Sequence, residues 1–267
     1  MHQIVHIAQR RIDGLQPSVA LDDQRYLVAG PAGANRLLKL LAAFDVFAAD
    51  FADDVAAFQA GPLSGQARRI SERGYAAALV DFFGRQGDLP EAMRAPERTG
   101  TRPEAMARAM QRAQQLTDER FLADMQAAVD DLQARGASQV ACWGFCMGGR
   151  LADVSAARVR GLSGAVAYYG HLQAEPSRLS PLELAAEIRI PLLGVFGGAD
   201  PNITSDQIVA FRDALKTDAE IVTYPGAPHG FLRYGATAHK AAIDDALQRT
   251  YRFFDRVLTA PAKAASR

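Results

Sequence analysis

The sequence predicts an α/β fold, a mostly parallel central sheet with helices on both faces, and three observations carry that prediction. From residue 67 onward, short apolar runs of strand length alternate with segments whose apolar residues recur at helical spacing. The apolar runs are nearly continuous, as strands buried on both faces require. A chain of 267 residues, 49% of them hydrophobic, is long enough to bury one large core, so a single domain over 1–267 is the expected organisation.

The elements come in a regular order. Ala67 to Arg73 reads as a helix stopped by Gly74, and Tyr75 to Val80 as a buried strand ending at Asp81-Phe82-Phe83-Gly84-Arg85. Residues 86–102 are rich in glycine, proline and charge, which suits a surface loop. Two helical patterns come next, the clearer one placing Phe121, Leu122, Met125, Ala128, Val129 and Leu132 on one face before Gly136. A strand at 139–143, a tight turn at Gly144 to Gly149 and a helix through Arg160 succeed them. Gly164 to Tyr169, Pro191 to Phe196 and Ile221 to Tyr224 read as further strands. A helix near 205–216 separates the last two, a final helix covers 237–258, and residues 260–267 read as a frayed tail.

Residues 37–66 do not fit this order. Leu37, Leu40, Leu41, Phe44, Phe47, Phe51, Val55 and Phe58 fall at helical spacing where an apolar strand is expected, and Asp45, Asp50, Asp53 and Asp54 interrupt them. Two explanations stand side by side: a helical insertion, or a locally wrong reading frame.

Acidic and basic residues balance at 30 each, which argues against nucleic acid or an anionic membrane as a main partner, since both need a basic face, and charge gives the chain little protection against self-association. A monomer or small homo-oligomer acting on a small molecule is expected. The start, Met1 to His6, lacks the basic-then-apolar layout of a signal peptide, and no uninterrupted apolar run is long enough to span a membrane. Two cysteines four residues apart, on one strand and its turn, do not make a structural disulfide, so a reducing, cytoplasmic setting is expected. His2 and His6 have a helix-compatible spacing, but terminal histidines are ordinarily solvated. No metal site is read from them, and no phosphate-loop or dinucleotide pattern implies a cofactor.

Chemistry concentrates at Gly144-Phe145-Cys146-Met147-Gly148-Gly149. A strand, a Gly-x-Cys-x-Gly turn and a helix have the layout of an α/β-hydrolase nucleophile elbow with cysteine in place of serine. The turn lifts one side chain above the sheet beside backbone N–H groups at a helix N-terminus, which favour a thiolate and later an oxyanion. Taken alone, the motif also fits a glycine-rich turn with an inert buried cysteine. Downstream, Gly197-Gly198-Ala199-Asp200 puts a carboxylate beyond one strand, and Pro228-His229-Gly230-Phe231 puts an imidazole beyond the next. Nucleophile, acid and histidine in this order match the hydrolase arrangement. Each sits where open α/β sheets collect ligands. Cys142 is expected to pack inertly, Trp143 to lie beside the elbow, and Tyr168 and Tyr169 to be core and rim residues.

These pieces, with Val166-Ala167-Tyr168-Tyr169-Gly170 and the last helix from Ala241 to Phe254, resemble the dienelactone hydrolase family from Ala67 to Leu258. Upstream, Tyr26 to Gly33 is similar to the family's entry strand. The resemblance implies an α/β-hydrolase fold with Cys146 as nucleophile, His229 as base and Asp200 as its orienter, and the N–H of Met147 is read as half of the oxyanion hole. In the family two arginines hold the substrate carboxylate, one after the Asp-aromatic-aromatic strand end and one four residues past the histidine. Arg85 and Arg233 occupy those positions here, and their guanidinium forks suit a carboxylate. The family's glutamate, beside its other oxyanion donor, has no counterpart between Leu37 and Gln66.

The function this implies is a carboxylic-ester or lactone hydrolase acting on a small carboxymethylenebutenolide-type lactone or activated ester in aromatic degradation, without cofactor. The alternatives are a general small-ester carboxylesterase of the same fold and a catalytically impaired hydrolase-fold binding protein.

Overall fold

The computed structural model of the chain describes residues 4–10, 26–29, 70, 73–80, 116–134, 136–233 and 238–259. Seven strands among them form one sheet: β1 (Ile4–Arg10), β2 (Tyr26–Ala29), β3 (Tyr75–Val80), β4 (Val140–Phe145), β5 (Leu162–Tyr168), β6 (Leu192–Gly197) and β7 (Ala219–Tyr224). Their spatial order is β2-β3-β1-β4-β5-β6-β7. The four strands β4 to β7 pair in parallel, whereas β1 is antiparallel to both β3 and β4, and β2 is antiparallel to β3. Because β1 opposes both neighbours, β3 points the same way as β4. Val5 stands opposite Leu79 on one side and Trp143 on the other, so the carboxyl ends of β3 and β4 lie level.

Helices α1 (Asp118–Ala134), α2 (Met147–Arg158), α3 (Pro181–Leu184), α4 (Ser205–Ala214) and α5 (Lys240–Thr259) connect and cover the strands. Helix α1 forms because Phe121, Met125, Ala128, Val129 and Leu132 make one apolar stripe, all of it buried, and it ends before Gly136 at φ 99°. The stripe of α5, from Ala246 through Phe253 and Phe254 to Leu258, is buried against the opposite face of the sheet. There Phe254 meets Trp143, and Phe253 and Val257 fill the space above Gly164. Each such fully buried aromatic contributes about 2–3 kcal/mol of transfer free energy. Helix α4 begins with a capping box, in which Thr204 and Gln207 satisfy each other's backbone N–H groups.

The expected strand at Tyr75 to Val80 is present with those bounds, and the expected elements from 118 onward appear within a few residues of their predicted ends. Strand β1 has no counterpart among the expected elements. His6 lies in this strand, not in a helix, and His2 lies outside the described residues. The stretch 37–66, the loop 86–102 and the tail 260–267 lie outside the described residues. Among the described residues no helix is long and apolar enough to cross a membrane.

Helix α2 is buried on all sides from Gly148 to Ala156, yet it carries Asp153, which is wholly inaccessible with neither carboxyl oxygen hydrogen-bonded among the described residues. Burial pushes this carboxyl well above the usual carboxylate range. A carboxyl raised in the folded state penalises folding once the pH exceeds its ordinary value of about 4. Asp153→Asn is therefore expected to gain on the order of 1 kcal/mol over the parent at pH 8. That gain should vanish near pH 4, and urea unfolding at the two pH values measures it.

Candidate active site

Strand β4 runs to Phe145 and helix α2 starts at Met147, so Cys146 alone turns the chain. It does so at φ 56° and ψ −118°, a conformation that L-residues rarely adopt and that costs about 1–3 kcal/mol. The close approach of α2 to the sheet imposes it. A Cβ on Gly144 would stand 1.9 Å from the carbonyl oxygen of Gly148, and one on Gly149 would stand 2.4 Å from that of Tyr168. Two backbone bonds pin the turn: Cys146 N donates to the Tyr168 carbonyl at 2.9 Å, and Arg150 N donates to the Cys146 carbonyl at 3.1 Å. Cys146 is half-buried. Met147, the first residue of α2, carries one of the first-turn N–H groups that have no acceptor within a helix.

Asp200 and His229 are delivered by the loops that leave β6 and β7. These loops are stitched together: Gly198 N donates to the Tyr224 carbonyl at 2.8 Å, and Ala199 N to the Ala227 carbonyl at 3.0 Å. Gly197 packs so tightly that a Cβ would stand 2.4 Å from the Ala227 oxygen. Asp200 Oδ2 lies 2.6 Å from His229 Nδ1, and its Oδ1 accepts the N–H of Asn202 at 2.9 Å. The other ring nitrogen, Nε2, lies 3.1 Å from Cys146 Sγ. The carboxylate is sealed from solvent, while the imidazole is about a quarter exposed. The hydrogen bond to the Cys146 sulfur raises the imidazole most, the Asp200 carboxylate adds to it, and together they outweigh burial and push it up to about 9. At neutral pH this arrangement favours an imidazolium facing the Cys146 sulfur.

The structure thus brings together Cys146, Asp200 and His229, with Met147 adjoining them. Arg233 ends a single 3-10 turn, Phe231–Arg233, directly after the histidine loop. Arg85 lies outside the described residues. Cys142 is buried, and burial pushes its thiol far up, which suits an inert packing role. Trp143 packs beside the elbow against Phe145, with ring centroids 4.9 Å apart. Tyr169 does more than sequence alone indicates. Held at φ 39°, it sets its ring edge-on to His229 at 5.3 Å and against Phe231 at 5.8 Å. The available signal is its place immediately past a strand that ends beside the elbow. No cluster of three or more metal-ligating side chains occurs among the described residues.

Comparison with known proteins identifies the chain's relatives. The sequence profile of the dienelactone hydrolase family matches residues 63–258. A Yersinia pestis protein named "Putative carboxymethylenebutenolidase" is 31% identical over 196 residues, 70% of each chain. A protein of the same name from Escherichia coli K12 is 30% identical over 70% of this chain and 69% of its own. A Klebsiella pneumoniae crystal structure, of a "Putative Dienelactone Hydrolase", superposes with a TM-score of 0.61 at 30% identity, covering 73% of this chain and 81% of that one. The strand, turn and helix around Cys146 and the two stitched loops beyond it fall within the matched span, and the chain belongs to the dienelactone hydrolase family of hydrolases.

Proposed function

We propose that this hydrolase opens a small carboxylate-bearing unsaturated lactone of the carboxymethylenebutenolide type, or cleaves an activated ester of similar size. In this reading Cys146 is the nucleophile, His229 the acid and base, and Asp200 the orienter of His229. The single observation that carries it is the unbroken relay at the rim of the sheet, 3.1 Å from sulfur to imidazole and 2.6 Å from imidazole to carboxylate.

That relay supports the following chemistry. The Cys146 thiolate attacks the lactone carbonyl, and the developing oxyanion is met by the N–H of Met147 at the positive end of α2. The ring C–O bond breaks, the enolate oxygen stays tethered to the acyl chain now held as a thioester, and the imidazolium supplies its proton; with an acyclic ester the leaving group departs instead. Neutral His229 then takes a proton from water, whose oxygen attacks the thioester carbonyl. The acid product leaves and the thiolate–imidazolium pair is restored. A thiolate suits an ester with a stabilised leaving group better than an unstrained amide. Arg85 and Arg233 hold the substrate carboxylate. Support for Arg85 comes from topology, since β3 delivers the chain to the same rim as β4 and Arg85 comes five residues after Val80. Both described cysteines are free thiols, in keeping with a cytoplasmic enzyme of aromatic-compound breakdown.

Cys146→Ser is expected to lose at least about a hundredfold in kcat on dienelactone. Retained turnover, with mass spectrometry finding no acyl group on residue 146, would exclude it as nucleophile. His229→Gln should slow iodoacetamide alkylation of Cys146 at pH 6.5 by about tenfold or more, because the thiolate is the reactive form and the cation that would stabilise it beside the sulfur is gone. In the parent, kcat/KM should hold through neutral pH and fall as the pH passes about 9, where the imidazolium gives up its proton. Arg85→Ala or Arg233→Ala should raise KM for carboxylated lactones by roughly tenfold, the loss of one charge-assisted hydrogen bond. Neutral esters should change little, and equal losses on both substrate types would count against the clamp.

A further inference from the structure

Arg150 is the residue in α2 whose N–H closes the first helical turn behind Cys146. Its side chain is only 3% exposed and makes three hydrogen bonds among the described residues. Nη1 donates to Asp118 Oδ2 and to the Leu179 carbonyl, each at 2.9 Å, and Nη2 donates to Asp118 Oδ1. The same carboxylate also accepts the Leu179 N–H at 2.6 Å and Arg178 Nη1 at 3.2 Å. The other end of that loop meets Arg150 as well, since a Cβ on Gly170 would stand 2.2 Å from the Arg150 nitrogen. One residue therefore joins the nucleophile turn, helix α1 and both ends of the loop that begins with Tyr169, whose ring rests on His229.

We propose that Arg150 is a positioning residue. Its forked pairing with Asp118 fixes the first turn of α2, and thereby the Cys146–His229 contact and the direction of the Met147 N–H, while its bond to Leu179 anchors the loop that carries Tyr169. The inference rests on Cys146 being the nucleophile. Stability alone does not account for the pair, because well-packed apolar residues serve a buried site as well as an ion pair or better. A planar fork does something a point charge does not: it locks orientation as well as distance.

The test separates geometry from stability. Variants Arg150→Lys, Asp118→Asn and the double Arg150→Met/Asp118→Leu are compared with the parent by thermal unfolding, by the pH profile of Cys146 alkylation with iodoacetamide, and by kcat and KM on dienelactone. The double variant removes both charges of the pair but also takes an acceptor from Arg178 and the Leu179 N–H, so it is expected to unfold several degrees below the parent and is assayed well below its own melting temperature. Its alkylation at pH 7 should fall about tenfold, with the profile moved toward that of an ordinary thiol. Its kcat should fall about 10–100-fold with KM within about threefold, the penalty of a nucleophile displaced by a fraction of an ångström to an ångström. Parental alkylation and kcat in a stable double variant would overturn the proposal. Should that variant not fold, Arg150→Lys assayed well below its own melting temperature decides in the same way, a parental profile overturning the inference. Alkylation needs no substrate, so a parent inactive on every lactone would sink the functional reading and leave this one to be decided by the thiol profile.

Discussion

Helix α2 sits closer to the carboxyl ends of β4 and β5 than any side chain at Gly144 or Gly149 would permit, and the site depends on that approach. With strand and helix this close, one residue must reverse the chain between them, and it does so under backbone strain at φ 56°. In return the side chain of that residue stands clear of the sheet, next to the N–H groups that open the helix. The burial of Leu151, Ala152 and Val154 around α2 is what offsets the strain. A looser helix would relieve Cys146, but it would also carry sulfur away from Nε2 and turn the Met147 N–H aside.

The second requirement is that imidazole and carboxylate arrive together. They are 29 residues apart and ride on different loops, yet neither loop is free to move without the other. Bonds from Gly198 and Ala199 to the histidine loop act as a short extra ladder beyond the ends of β6 and β7. Sealing the carboxylate from water makes its hold on Nδ1 more effective than an exposed pair would be. The raised imidazole is the electrostatic result, and the sulfur, not the carboxylate, is its largest cause.

Much of this is legible in the sequence because buried parallel strands and amphipathic helices announce themselves locally. Gly194-Val195-Phe196 has no other stable place than a covered strand, and the stripe of α1 could face only a core. Cys146, Asp200 and His229 are legible because each comes just past a strand end and their order is that of a known relay. The features that stay hidden in the sequence are non-local. The run Ile4–Arg10 mixes apolar residues with His6, Gln9 and Arg10, and nothing in its pattern announces pairing between β3 and β4, more than sixty residues away. The Arg150–Asp118 pair spans 32 residues. Its one local trace is an arginine and an aspartate inside a helix that must be buried, a conflict pointing to a compensating partner for the first and, among the described residues, finding none for the second.

Strand direction gives these separate devices a common edge. Strands β3 to β7 all point one way, and the residues next in sequence after their carboxyl ends include, in turn, Arg85, Cys146, Tyr169, Asp200 and His229 with Arg233. Five loops therefore leave the sheet at one rim, and the rows of the ladder keep their departure points level. Two strand spacings, about 10 Å, separate β3 from β4 across β1. A chain whose thiol and imidazole follow strands of one direction gathers them at one edge of the sheet, and the parallel order of β4 to β7 is what makes residues 83 apart in sequence neighbours there.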